Sequence, residues 1–298
     1  MRIGVDLGGT KIEVIVLAEN GDIPYRKRVN TPQGDYRATV QTIVTLIEGA
    51  EVALDFVTSC VGIGTPGVIS RTTGLVKNCN STCLNGMPLM SDLEGVLKCK
   101  VVTANDANCF TLSEAVDGAA AGSEIVFGVI LGTGVGGGIV INGHLVSGVN
   151  AIAGEWGHNP LPWPSSSELL GPACYCGLSG CIETWLSGPA LQAAHFKRSG
   201  ESILPSDLVF RAESGCELAE DSLLDYEGRL ARGLASVINI IDPDVIVLGG
   251  GLSNIERLYT NVPERWLDYI FSDVVDTRLV PAKYGDSSGV RGAAWLCG

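Results

Sequence analysis

The sequence predicts an α/β protein of two lobes with related topology. Three observations carry that reading. Short β-branched runs alternate with longer stretches of helical periodicity. A strand, a glycine turn, a second strand and an Asn-Gly turn occur at 3–21 and again from 126 to 143, about 125 residues apart. The 298 residues also suit two domains at roughly 100–200 residues each. Chance repetition is the competing explanation, because glycine and Asn-Gly are common hairpin devices.

Each element has a local reason. Residues 3–7 (IGVDL) and 12–18 (IEVIVLA) are β-branched runs flanking Gly8-Gly9-Thr10-Lys11, and Asn20-Gly21 turns the chain toward a third strand near 24–29. Val40, Ile43, Val44 and Ile47 fall at helical spacing within 35–55, with Asp35 placed to cap. A strand at 60–64 leads into an irregular Asn/Gly/Pro-rich stretch at 65–88. A short helix near 91–98, a strand at 101–104 and a helix from about 106 follow. In the second half, 126–131 reads as a strand, 132–138 (GTGVGGG) as a glycine turn, and 139–141 as another strand. Helices at 187–198, 204–213 and 217–241 precede a buried-type strand, 245–248, which runs into Gly249-Gly250-Gly251. A helix rich in small residues, near 287–296, comes last.

Composition excludes several classes. At 46% apolar and 18% charged the chain is not disordered, and its 39 glycines form no repeat that would make it fibrous. A net charge of −13 with no basic block argues against nucleic acid as a partner. No stretch approaches the ~18–20 apolar residues of a membrane helix. The opening MRIGVDLGG interrupts any signal-peptide core, so the expected location is cytoplasmic. Ten cysteines do not make a disulfide scaffold in a chain of this size; three cluster (Cys174, Cys176, Cys181) and seven are scattered.

The glycine loops point to phosphate. Residues 132–137 spell GxGxxG with Glu155 downstream, yet the chain continues as a β-branched strand, so the dinucleotide fingerprint fails on context. There is no GxxxxGK[ST] loop. What remains are strand–glycine–strand hairpins whose backbone N–H groups can approach a phosphate. Asp6, before the first turn, is placed to hold a hydrated Mg²⁺. A tight turn capped by Asp6 explains either hairpin alone equally well; two hairpins and the Gly249–Gly251 run favour a nucleotide.

His158, Cys174, Cys176 and Cys181 fall within 24 residues and offer one imidazole and three thiolates, a closed tetrahedral set for structural Zn²⁺. Reduced loop thiols or a redox pair are the alternatives. Asp106, in NDAN at 105–108, lies where a strand gives way to a helix. A carboxylate there can take a proton from a hydroxyl, but spacing alone favours a helix cap.

Taken together, VDLGGTK (5–11), GIGTPG (62–67), NDAN (105–108), LGTGVGGG (131–138), AGEWGH (153–158), CYCGLSGCIE (174–183) and DPDVIVLGGG (242–251) resemble the ROK family of bacterial sugar kinases and regulators over essentially the whole chain. KNCNSTCLNG (77–86), EAVDGAAAG (114–122) and EWGHNPLPW (155–163) look most like its fructokinase/mannokinase branch. The resemblance implies an actin-like, ribonuclease-H-like ATPase fold, two lobes with a nucleotide/sugar cleft between them. The expected lobes are 1–112 and 113–298, with a final helix at about 286–298 packing back on the first.

By that resemblance Asp106 is the catalytic base, against the spacing reading. Pro66, Gly67, Asn80, Asn105, Glu155, His158 and Glu183 contact sugar. Asp6, Gly8, Gly9, Thr10, Lys11, Gly132, Thr133, Gly134, Gly136, Gly137, Gly249, Gly250 and Gly251 face ATP and Mg²⁺. His158 then serves both zinc and sugar, one ring nitrogen each. The implied reaction is transfer of phosphate from ATP to the 6-hydroxyl of fructose or mannose, with a glucokinase or N-acetylhexosamine kinase as the alternative. A non-catalytic sugar-binding regulator is the alternative class, which an intact Asp106 opposes. Family repressors carry an N-terminal helix-turn-helix that this chain does not show before its first strand. The resemblance also admits a homodimer. Cys83 stands where an aromatic residue is expected, leaving the sugar range open.

Overall fold

A computed structural model of the chain describes residues 1–79 and 81–297. Two compact units form: Met1–Gly122 with Gly138–Ala153 and Asp286–Gly298, and Ser123–Gly137 with Gly154–Gly285.

In the first unit β1 (Arg2–Leu7), β2 (Lys11–Leu17) and β3 (Tyr25–Asn30) form an antiparallel meander. Helix α1 (Tyr36–Leu54) is capped by Asp35, whose side chain accepts from the Ala38 amide at 3.0 Å, and it buries Ile43, Val44 and Ile47. After it come β4 (Cys60–Thr65), the small pair β5 (Val68–Ile69) and β6 (Val76–Lys77), α2 (Leu89–Leu97), β7 (Lys100–Asn105) and α3 (Asp106–Val116). Strands β1, β4 and β7 run parallel, giving the order β3-β2-β1-β4-β7. The core is aliphatic: Ile3, Val5, Ile12, Val14, Ile43, Ile47, Val61 and Ile63 are fully buried.

The second sheet has the order β10-β9-β8-β11-β12, from β8 (Ile125–Leu131), β9 (Val135–Ile141), β10 (His144–Leu145), β11 (Val245–Gly249) and β12 (Arg278–Pro281). It winds as the first does, with three consecutive strands side by side and then two parallel strands reached by crossovers. Helices α4 (Glu183–Leu186), α5 (Gly188–Ser199), α6 (Pro205–Glu213), α7 (Glu217–Ile241) and α8 (Leu258–Trp266) belong to the second unit. The last helix, α9 (Ser288–Trp295), packs against β1, β2, β4 and α3 in the first.

Three features differ from the sequence reading. The expected border at 112/113 falls inside α3, and the chain stays with the first unit to Gly122 because Glu114 and Asp117 bond to Ser288 and Arg291 of α9. Gly136 and Gly137 lie within β9 rather than in the turn. Trp156 crosses the strand there: its Nε1 donates to the Gly136 carbonyl at 3.1 Å, and a Cβ on Gly137 would stand 2.7 Å from its ring. Finally, two of the scattered cysteines, Cys60 and Cys297, form a disulfide.

The long irregular segment 159–181 is fixed by a buried ion cluster. Glu168 accepts from Arg229 Nε at 2.7 Å and from both Arg232 terminal nitrogens at 2.9 Å, and α7 carries both arginines. Burial alone would raise the carboxyl, but the Arg232 and Arg229 hydrogen bonds outweigh it and bring its pKa from 4.5 down to about 2. A carboxyl depressed on folding stabilises above its unfolded pKa, and this contribution fades as pH falls from about 4.5 toward 2. Glu168→Gln leaves Arg232 without its counter-charge and Arg229 with only the more distant Asp225. Chemical denaturation at neutral pH should show a loss of about 3–5 kcal/mol, shrinking as the pH is lowered toward 3.

Candidate active site

The C-terminal ends of β1, β4 and β7 are in register, so Asp6 pairs with Gly64 and Gly64 with Ala104. Beyond Ala104 the chain turns into α3. Asn105 is the N-cap, its side-chain oxygen accepting from the Asn108 amide at 2.8 Å. Asp106 is the first helical residue, accepting from its neighbour Ala107 at 2.8 Å. The capping task therefore belongs to Asn105, and Asp106 keeps an open face to solvent.

Dense protein on its other sides raises the Asp106 pKa, outweighing the backbone hydrogen bonds that lower it. Asp6 rises from 3.8 to about 6, first through burial, then through the negative charges of Asp106 and Glu13, with Arg28 pulling the other way. Burial thus disfavours the charged form of both carboxyls, and the Asp106 charge disfavours it further at Asp6, a cost that a nearby cation or proton relieves.

The first glycine hairpin is held from behind. Thr31 bonds the Gly8 carbonyl through its hydroxyl (2.8 Å) and the Thr10 carbonyl through its amide (2.9 Å). Gln33 bonds the Gly9 carbonyl at 2.6 Å. Lys11 opens β2 and is exposed. A cavity of about 280 Å³ lies beside this hairpin, lined by Gly9, Thr10, Thr31, Gln33, Ser81 and Cys83 among others. Cys83 is thus a wall residue of this cavity. Thr65 donates to the Gly67 carbonyl at 2.7 Å, shaping the Pro66-Gly67 loop at the end of β4. Asn80 lies outside the described residues.

In the second unit, the turn Gly132-Thr133-Gly134 is braced by Glu183, the first residue of α4. Its Oε2 accepts from the Val135 amide at 2.9 Å and stands where a Cβ on Gly134 would lie. Gly249 ends β11. Gly250, at φ +81°, turns so closely beneath Leu131 that a Cβ would stand 2.5 Å from its carbonyl oxygen; Gly251 follows, exposed. Glu155 is exposed at the start of the turn that carries His158.

His158, Cys174, Cys176 and Cys181 bring their donor atoms within 4.8 Å of one another. Cys174 Sγ lies 3.6 Å from His158 Nδ1, and Cys176 Sγ lies 3.6 Å from Cys181 Sγ. Ligands bound at 2.3 Å to a tetrahedral centre stand about 3.8 Å apart, so the set is sized for such an ion. Gly177 and Gly180, at φ +92° and +72°, let the knuckle fold, and the Cys174 amide closes it on the Leu178 carbonyl at 2.8 Å. The second His158 nitrogen, Nε2, is 3.0 Å from the Tyr175 hydroxyl, with the rings edge to face. A ligand reaching Nε2 must therefore displace Tyr175, which is 83% exposed and free to swing. Sequence reasoning overlooked Tyr175; its position between two clustered cysteines was the available signal.

The family model for the ROK family matches residues 2–298. The chain is 40% identical over 300 residues to the N-acetyl-D-glucosamine kinase of Photobacterium profundum, covering 99% of each. It is 39% identical over 302 residues to that of Vibrio cholerae serotype O1, again covering 99% of each. Among solved structures, the ROK hexokinase from Thermus thermophilus superposes with a TM-score of 0.88 at 31% identity, covering 99% of this chain and 97% of that one. A ROK glucokinase from Streptomyces griseus, in complex with glucose and AMPPNP, gives 0.78 at 28%, covering 99% and 98%. Family and relatives define a sugar kinase on the actin-like ATPase fold. The chain belongs to the ROK family.

The coupling of the two carboxyls is directly measurable. A ¹³C-carboxylate NMR titration should place Asp6 near pH 6, and Asp106→Asn, by removing a facing negative charge, should lower it. Because the folded chain holds this proton to about pH 6 and the unfolded one only to 3.8, Asp6 adds stability below 3.8 that is lost as pH rises through 6. An Asp6 pKa unchanged by Asp106→Asn would mean the two charges do not interact.

Proposed function

We propose that the chain transfers the γ-phosphoryl group of ATP to the 6-hydroxyl of N-acetyl-D-glucosamine. The observation that carries the sugar is the similarity, along 99% of the chain, to N-acetyl-D-glucosamine kinases. Motif likeness alone puts fructose and mannose first, with glucose or an N-acetylhexosamine as the alternative; the relatives favour the alternative.

Asp106 takes the proton from the attacking hydroxyl. Its raised pKa supports this, since a base works best when its proton affinity approaches that of the medium. Asn105 and the Pro66-Gly67 loop orient the sugar, and Glu155, His158 and Glu183 are its further ligands. Asp6 would hold Mg²⁺, which when bound neutralises charge on the ATP phosphates. The amides of the Gly8–Thr10 and Gly132–Gly134 turns face the transferring phosphoryl group, and Gly249–Gly251 the nucleotide. His158, Cys174, Cys176 and Cys181 would hold a structural Zn²⁺ that orders 159–181 and fixes the imidazole. Such a kinase works in the cytoplasm, where ATP is kept.

Coupled ATP turnover across N-acetylglucosamine, glucose, mannose and fructose tests the substrate. The expected kcat/KM is highest for N-acetylglucosamine, and a preference for fructose would overturn the reading. Asp106→Asn should lower kcat by about 10²–10⁴-fold with sugar affinity within a few-fold; half of normal turnover would remove Asp106 as the base. For the metal, elemental analysis should find close to one zinc per chain, lost in Cys176→Ser together with several degrees of Tm. A metal-free, fully active wild-type protein would refute the site.

A further inference from the structure

The Cys60–Cys297 disulfide joins residues 237 apart in sequence, at the first residue of β4 and just beyond α9. Both cysteines are half-buried, within reach of small thiols. Between the bond and the site there is no slack. A Cβ on Gly62 of β4 would collide with the Ala293 carbonyl of α9, one on Gly4 of β1 with that of Val290, and one on Gly292 with the Cys109 carbonyl of α3. Helix α9 thus bears on the three elements that carry Asp6, the Pro66-Gly67 loop and Asp106. At its other end Ser288 donates to the buried Glu114 at 2.7 Å, and a Cβ on Gly289 would lie 3.9 Å from Asp6 Oδ2.

We propose that Cys60 and Cys297 form a reversible thiol–disulfide site, exchanging with small disulfides and thiols of the glutathione class, and that closing it seats α9 against the carboxylate site. Closure is balanced. One cysteine thiolate attacks the small disulfide and expels one small thiol. The other cysteine then attacks the mixed disulfide and expels the second, so the protein loses two electrons and the small disulfide gains them. The regulatory sense rests on the proposed kinase activity: an enzyme using ATP works where small thiols reopen exposed disulfides, and a disulfide found there is usually transient. Because α9 keeps its other contacts when the bond is open, the thiols stay close and the site can close again.

The full-length protein is equilibrated in glutathione buffers from oxidising to reducing, and the state of Cys60 and Cys297 is read by alkylation and mass spectrometry. Hydrogen exchange of 288–295 and turnover are measured at each poise. Opening should speed exchange in α9 and lower kcat/KM by about threefold or more. Cys297→Ser should behave as the open form in every buffer, and it retains the remaining cysteines as a control for their own reactions. A bond that stays shut across all buffers, or one that opens with α9 exchange unmoved, overturns the proposal. Absent turnover with every sugar in both states defeats the kinase reading alone, because hydrogen exchange of α9 still decides this one.

Discussion

The registration of three parallel strands is the constraint on which the first unit depends. Because β1, β4 and β7 end level with one another, Asp6, Gly64 and Ala104 form one row, and the next residues, Asn105 and Asp106, enter a helix at the same edge. Neighbouring strands are about 4.8 Å apart, so the two aspartates are fixed by backbone hydrogen bonding, not by side-chain adjustment. Gly64 sits beside Asp6 in that row, a Cβ there lying 3.6 Å from Asp6 Oδ1. A one-residue slip of β7 would turn the row to the opposite face and separate the pair. The fold therefore imposes an electrostatic conflict. Burial and a facing carboxylate both disfavour ionised Asp6, and such strain is kept where a ligand relieves it.

Much of this was legible in the residues. Asp35 before a 3.6-period run announced the start of α1, and the hairpin residues around Gly8 and Asn20 announced the meander. The repeated strand–glycine–strand pattern foretold two sheets wound alike. Elements that lack a local signal were missed. Helix α8 has Pro263 in its interior and no apolar run, and it is held by packing Leu258, Val262 and Trp266 inward. Strand β12 ends in Pro281 and exists because β11 offers it an open parallel edge.

The candidate site was legible in its identities and less so in its geometry. Asn and Asp are both good caps, so spacing could not say which of Asn105 and Asp106 would take the task. The backbone decides: residue 105 has φ −72°, ψ 167°, and the helix begins at the next residue. Runs of glycine signal turns, yet Gly137 answers to Trp156, which lies far from it in sequence. The same distance hid the Cys60–Cys297 pair, since no local pattern links a strand start to the last turn of the chain.

The segment 159–181 shows how an irregular stretch of this length can be ordered. It has little regular structure to fix its backbone, so order must come from side chains. In its middle Glu168 is clamped by two arginines of α7; at its ends His158 and the three sulfurs converge. These anchors differ in kind. The ion cluster is complete within the chain, its carboxylate satisfied and its pKa low. The sulfur cluster is not: burial pushes the Cys181 thiol up and the neighbouring sulfurs push it further, while the Leu178 amide and the neighbouring sulfurs lower Cys176. A cation that binds such a set removes its protons. One anchor thus fixes the loop unaided, whereas the other would do so only with a bound cation. Such a cation would act on the imidazole of His158, at the point where Tyr175 covers its second nitrogen.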